Sequence, residues 1–375
     1  MGKMIMQIKK TAETASVSLR LRKTFTKPNL VGHTVLTDDV FTYVDFYFKK
    51  HKKLLKTKDN KEIDQSYYFY WEQARNFYNA SKLLPIESSP LTMYYCMLNA
   101  AKAYILYSCT TVDAVINDLI SHGLHECKGE SIIKPKGLDE IMIAWKEQGV
   151  FGRLSKMLDS NFVEKWPYGN THSVSVKKLL QVLVFIHRAY SSTYQTSRRD
   201  ERFLPLVPGT SPTFYYCNDN KIHLSFDLHK PYFQSNVTSI PEDVVKRIPE
   251  RYIVSRDNPF RLISKDWYYK KEVNNHYEEL RKDFAVITSN ERLWYLTKTD
   301  DNSFCGINEL SATMAVMHRF SEIVRYKPEQ MVVLLNGKEN WLIHEFLSLA
   351  LDQFIDKLAC EITKEEIMST RHHSK

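Results

Sequence analysis

The stretch "PLTMYYCMLNAAKAYILYS", Pro90 to Ser108, decides how the rest of the chain is read. It is apolar almost throughout, and its proline sits at the first turn, where a missing N–H does no harm. It therefore reads as a buried helix, yet it carries Asn99 and Lys102 in its middle. Successive helical residues rotate by about 100°, so Tyr95, Asn99, Lys102 and Leu106 share one stripe and face one neighbour. The same two polar groups count against a membrane span, because a charged side chain at the centre of a bilayer is costly.

The flanking segments supply helices for it to pack against. "SYYFYWEQARNFYNASKLL" places Trp71, Ala74, Phe77, Tyr78 and Ser81 on one stripe, and Pro85 and Pro90 punctuate the loop that follows. "TVDAVINDLISHG" predicts a third helix from about Thr110, ending at Gly123 as a left-handed cap. "GLDEIMIAWKEQGVF" is ambiguous between strand and helix, with a turn at Gly149, whereas "THSVSVKKLLQVLVFIHRAY" is helical with His187 on its apolar face, a satisfied core histidine. Farther on, "NELSATMAVMHRFSEIVRYKPEQ" and "NWLIHEFLSLALDQFIDKL" read as helices.

Between these helical blocks the pattern changes. "TFYYCNDNKIHLSFDL" alternates around Asn218-Asp219-Asn220 as a hairpin does, and "RYIVS", "FRLIS" and "RLWYLTK" look like short strands. The expected architecture is mainly α: a helical bundle with a small β-hairpin or β-sheet insert in the middle of the chain. Its expected parts are a basic N-terminal segment (1–62) with a loosely held start, a helical bundle (63–200), a β-containing insert (203–300) and C-terminal helices packing on the bundle (301–368).

The formal charge of +8 is local: residues 49–61, "KKHKKLLKTKDNK", hold seven Lys against one Asp. Lys49, Lys50, Lys52, Lys53, Lys56 and Lys58 are thus the candidate nucleic-acid contacts, with a solvated loop as the plainer reading. Six scattered cysteines in a chain of 375 residues favour reduced thiols, and the start lacks a secretory core, so a soluble cytoplasmic protein is expected. No phosphate-cradling glycine loop and no nucleophile elbow occur. "HGLHEC" (His122, His125, Cys127) has no matching second pair, so no metal and no cofactor are expected.

Two polar groupings remain. Lys102 in a buried setting needs a partner or a lowered pKa, and the preceding helix offers Glu72, Gln73, Arg75 and Asn76, with Glu72 the expected carboxylate. Together with Tyr95, Asn99, His122 and Arg325 these define a candidate polar pocket; the plainer reading has Lys102 snorkelling outward and Asn99 bonding a backbone carbonyl. In "HRFSEIVRYKPE", His318–Glu322 and Glu322–Arg325 have the spacing of pairs on a solvated helix face. Arg325 would cap carbonyls there, or reach for a phosphate or carboxylate.

The segment "FYWEQARNFYNASKLLPIESSPLTMYYCMLNAAKAYIL", followed by "HGL", "GVF" and "RYKPE", resembles the bacterial YaaC-like family over residues 65 to 355. The resemblance makes Gln73, Ala74, Tyr95, Asn99, Lys102, His122, Gly123, Arg325, Tyr326 and Pro328 shared positions and carries no settled activity. The paired helices are also similar to HEPN-type bundles, many of which are ribonucleases with an Arg-x4-6-His motif. No histidine here has an arginine five to seven residues upstream. Two functions are therefore expected. One is a binding or regulatory protein, in bacterial stress or phage defence, touching nucleic acid through the basic segment. The other is a HEPN-like ribonuclease or nucleotide-processing enzyme with a polar pocket between helices. Nucleic acid or another protein is the expected partner, a homodimer is open, and no membrane is involved.

Overall fold

The computed structural model describes residues 19–57, 62–63, 66–126, 137–197, 200–216, 220–233, 236–299 and 307–370. The chain divides into a larger unit (36–197, 302–363 and 369–375) and a smaller one (1–35, 198–301 and 364–368).

In the larger unit Asp39 caps the helix α1, Val40–Lys50, accepting the N–H groups of Phe41 at 3.0 Å and Thr42 at 3.2 Å. Then come α2, Ser66–Ser81, and α3, Ser89–Ser108, which is the helix of the opening stretch. Two short helices, α4 (Val150–Leu158) and α5 (Val176–Gln181), precede α6, Glu309–Tyr326. Asn308 caps α6 through the N–H of Leu310, and α7 (Pro328–Leu335) and α8 (Asn340–Thr363) complete the set. Helix α3 lies against α2, α6 and α8, which is why it is apolar nearly all round. In its middle the Tyr95–Asn99–Lys102 stripe is half-buried, as are Leu91, Thr92 and Tyr107 towards its ends.

The helical-bundle expectation is corrected here. The protein is a mixed α/β structure, with 49% helix and 17% strand, and its largest sheet has six strands. Most of these strands are two to four residues long, too short to show alternation, and they pair across distances that no local pattern records. Even within the helical unit, Leu124–Glu126, Met142–Trp145 and Val174–Ser175 form an antiparallel sheet. The helix expected at 110–123 shrinks to a 3-10 turn, Val112–Ala114, and the five-residue helix Ile116–Ile120. Its β-branched run disfavours a longer helix.

In the smaller unit the sheet runs, in spatial order, Leu19–Arg20, Thr213–Tyr216, Lys221–Asp227, Arg261–Ser264, Tyr252–Val254, with Tyr268–Tyr269 also paired to Lys221–Asp227. Phe214, Ile222, Leu224, Phe226 and Leu262 point to the core, where Tyr277 and Leu280 of the helix Val273–Lys282 and Trp294 cover them. Leu19 and Leu21 belong to the same core, and the backbone N–H of Arg22 donates to Tyr277 Oη at 3.1 Å. This part of the start is therefore held, because its few apolar residues meet a sheet 190 positions onward.

Among the described residues no helix is long and apolar enough to cross a membrane. Cys96, Cys109 and Cys360 are buried and in no disulfide, whereas Cys127, Cys217 and Cys305 fall outside the described residues.

Candidate functional site around His122

Two glycines set the position of His122. Gly123 has φ +80° and Gly149 has φ +126°, and a Cβ on Gly149 would fall 2.5 Å from the Gly123 Cα. Only with hydrogen at both positions can the two backbones approach so closely. The approach lets the first N–H groups of α4 find partners: Val150 donates to Ser121 O at 3.0 Å and Phe151 to His122 O at 3.1 Å. The Asp118 carboxylate accepts the Gly149 N–H at 3.2 Å. Loop 121–123 is thereby pinned across the start of α4.

The half-buried His122 ring is the hub of the site. Its centroid lies 5.3 Å from that of Tyr94, 5.9 Å from that of His318 and 6.4 Å from that of Tyr95. Tyr94 and His318 meet edge-on at 4.9 Å, and Phe77 of α2 stacks on Tyr95 at 5.4 Å. Burial depresses the His122 pKa, and the positive charges of Lys102 and Arg325 push it the same way. The imidazole is thus neutral at pH 7, and both cations that the sequence singled out bear on it.

Beneath it, Tyr94 and His318 are buried, and neither Tyr94 Oη nor His318 Nδ1 has a hydrogen-bond partner among the described residues. Burial holds the Tyr94 hydroxyl well above its ordinary pKa, with the charge of Glu322 adding to the effect. Burial pushes His318 down to about 3, helped by His122, Arg319 and His125. The expected pairs on α6 are revised accordingly. His318 and Arg319 are buried rather than on a solvated face. The Glu322 carboxylate takes Arg319 at 3.1 Å and stands 3.6 Å from the neutral His318 Nδ1. Arg325 is exposed, with its guanidinium 5.0 Å from the Tyr326 ring.

On α3, Asn99 Nδ2 donates to Tyr95 O at 2.7 Å, the backbone bond expected of it. Lys102 is half-buried, its Nζ 5.2 Å over the Tyr70 ring, and burial lowers its pKa. Among the described residues it has no carboxylate and no hydrogen-bond partner. Glu72 is exposed, and its charge acts on Asp45 of α1 instead. Arg75 faces α1 as well, pairing with Asp39 at 2.8 Å and Asp45 at 3.8 Å. Gln73 and Asn76 are exposed; helical spacing puts Gln73 on the Tyr70–Phe77 stripe, beside the site. The structure therefore gathers Tyr95, Asn99, Lys102, His122 and Arg325, leaves Glu72, Arg75 and Asn76 elsewhere, and adds Tyr70, Tyr94 and His318. The apolar surroundings of His318 in "MAVMHRF" were the one available signal for its burial.

The basic run is divided. Lys49, Lys50, Lys52 and Lys56 are exposed, while Lys53 turns inward and donates to Tyr107 O at 2.8 Å and Cys109 O at 2.6 Å, closing the C-terminal end of α3. Lys58 falls outside the described residues, as does Cys127 of the histidine-cysteine cluster. No group of three His, Cys, Asp or Glu among the described residues could hold a metal ion. His187 bonds the Val184 carbonyl through Nδ1 at 2.6 Å.

No curated protein and no solved structure matches the chain, so the HEPN-type likeness finds no support there. The family described as YaaC-like Protein matches residues 36–362, which takes in α1 to α7 and nearly all of α8, and the chain belongs to that family.

Proposed function

We propose that this YaaC-like protein binds a small phosphate-bearing anion at the His122 site. One observation carries the reading. Lys102 is half-buried with no counter-charge among the described residues, and its field and that of Arg325 fall together on one neutral imidazole. A desolvated ammonium is costly unless an anion meets it, and a phosphate would compensate Lys102 and Arg325 at once. Neutral His122 can accept a hydrogen bond from such a ligand or take a proton from a nucleophile beside it. Tyr94, held protonated, is a donor without an acceptor among the described residues. An anion arriving next to His122 would raise its pKa, so binding would be coupled to proton uptake.

The experiment is calorimetric titration of the full chain with inorganic phosphate, pyrophosphate and ATP, repeated with Lys102→Met. Methionine keeps the packing of the lysine stem and removes the charge. Losing a charge-assisted hydrogen bond weakens binding by roughly 10- to 150-fold. The expected outcome is that loss with a melting temperature within a few degrees of wild type. Equal binding by the variant, or no heat with any of the three anions, removes the reading. Proton release instead of uptake in buffers of different ionisation enthalpy would remove the assigned part of His122.

A further inference from the structure

A different surface, in the smaller unit, carries its own observations. Along Lys221–Asp227 the even positions Ile222, Leu224 and Phe226 enter the core, so Lys221, His223, Ser225 and Asp227 lie on the opposite face. Register extends that face across the sheet. Tyr215 stands opposite His223, Thr213 opposite Ser225, Arg20 opposite Thr213, Tyr269 opposite Lys221 and Arg261 opposite Asp227.

The aromatic members of this face form a ladder. Tyr215 stacks on His223 at 5.9 Å with 25° between the planes, and the Trp267 ring meets His223 edge-on at 4.9 Å. Tyr215 is 38% exposed and Tyr269 46%, large fractions for rings on a sheet, and they stand at the rim of the face, whose centre at His223, Ser225 and Ile263 is buried. Burial holds His223 down at about 4, so its ring stays uncharged. The charged members are Arg20, Lys221, Arg261 and Asp227; Arg261 is held by Asp227 at 2.8 and 3.1 Å, with the charge of Asp257 also bearing on it, so among the described residues Arg20 and Lys221 are the excess cations of this face. Lys221 Nζ lies 5.7 Å over the Tyr269 ring and has no carboxylate among the described residues.

We infer that this sheet face binds single-stranded nucleic acid, with unpaired bases stacking on the exposed rings of Tyr215 and Tyr269 and phosphates meeting Arg20 and Lys221. Exposed flat rings suit bases whose faces are free, which a duplex does not offer, and the excess of cations suits the backbone that joins them. A purely acidic partner would use the cations and leave the rings idle. The inference does not depend on the His122 site, and it assigns nucleic acid to other residues than the lysines of residues 49–56.

The test is fluorescence anisotropy of labelled twelve-nucleotide single strands, dT and U, with the full chain at several salt concentrations. Tyr215→Ala weakens binding roughly 5- to 150-fold, while Tyr215→Phe retains it. Arg20→Ala and Lys221→Ala each lower the slope of log affinity against log salt by about 0.7. Melting curves of the variants report whether they fold, and Tyr215→Phe supplies a variant with the ring intact. Four results overturn the inference: no binding at low salt, tighter binding to a duplex of the same length, wild-type affinity in Tyr215→Ala, or complete loss in a Lys49, Lys50 and Lys52→Ala variant. Displacement of the strand by an acidic polypeptide with equal strength in Tyr215→Ala and wild type would also overturn it, because the rings would then add nothing.

Discussion

Gly149→Ala tests the argument that the position of His122 depends on two backbones in direct contact. The substituted residue would have to hold φ +126°, a strain of about 1–3 kcal/mol for a residue with a side chain. Its Cβ would lie 2.5 Å from Gly123 Cα and 2.6 Å from Gly123 N, so loop and helix start must separate by about 1 Å to reach ordinary contact. That movement stretches the bonds from Val150 and Phe151, each about 1 kcal/mol. The expected destabilisation is about 3–5 kcal/mol. Gly169→Ala is the built-in control: φ there is +104°, but nothing lies within 4 Å of an added Cβ, so only the strain of about 1–3 kcal/mol applies. Urea unfolding followed by tryptophan fluorescence compares the two, with Trp145 next to the affected loop. If both variants lose the same stability, the close approach is not what holds the loop, and His122 must be positioned by something else.

Further outcomes concern protonation and helix ends. His318 has a folded pKa of about 3 against an ordinary 6.5, so the unfolded chain takes up its proton first as pH falls. Stability contributed by the neutral buried ring is therefore complete above pH 6.5 and lost progressively towards pH 3, up to about 5 kcal/mol as an upper limit. Thermal melts between pH 7 and 4.5 should show a steeper decline for wild type than for His318→Asn, and parallel curves would contradict the burial of that ring. Lys53→Ala removes two charge-assisted bonds to the end of α3 and should cost about 1–3 kcal/mol, whereas Lys52→Ala, at an exposed position, should change the melting curve little; equal effects would mean that Lys53 is not a cap.

What the sequence made legible follows the range of the interactions concerned. Helices α2, α3, α6 and α8 were readable because each presents an apolar stripe long enough to reveal its period. The strands at Thr213–Tyr216 and Lys221–Asp227 were readable from their alternation about a turn. Leu19–Arg20 was not, because two residues have no period and their partner Phe214 lies far along the chain. At the site, Asn99 behaved as its local helix dictates. Lys102 did not meet Glu72, since helical geometry turns Glu72 towards α1 while Tyr70 and Phe77 face α3. The orphaned hydroxyl of Tyr94 depends on what α6 places beside it, which no spacing within α3 could express.

The interleaved make-up of the two units bears on how the chain is made. Residues 19–23 belong with 364–368, and Lys23 Nζ donates to Ile367 O at 2.6 Å while Asn29 N–H donates to Lys364 O at 2.8 Å. A ribosome delivers these partners more than 330 residues apart, so residues 19–23, already translated, gain their contacts with 364–368 only after the segments between them have been made. The interleaving thus sets a late docking step for this edge of the smaller unit, after most of the chain has been translated.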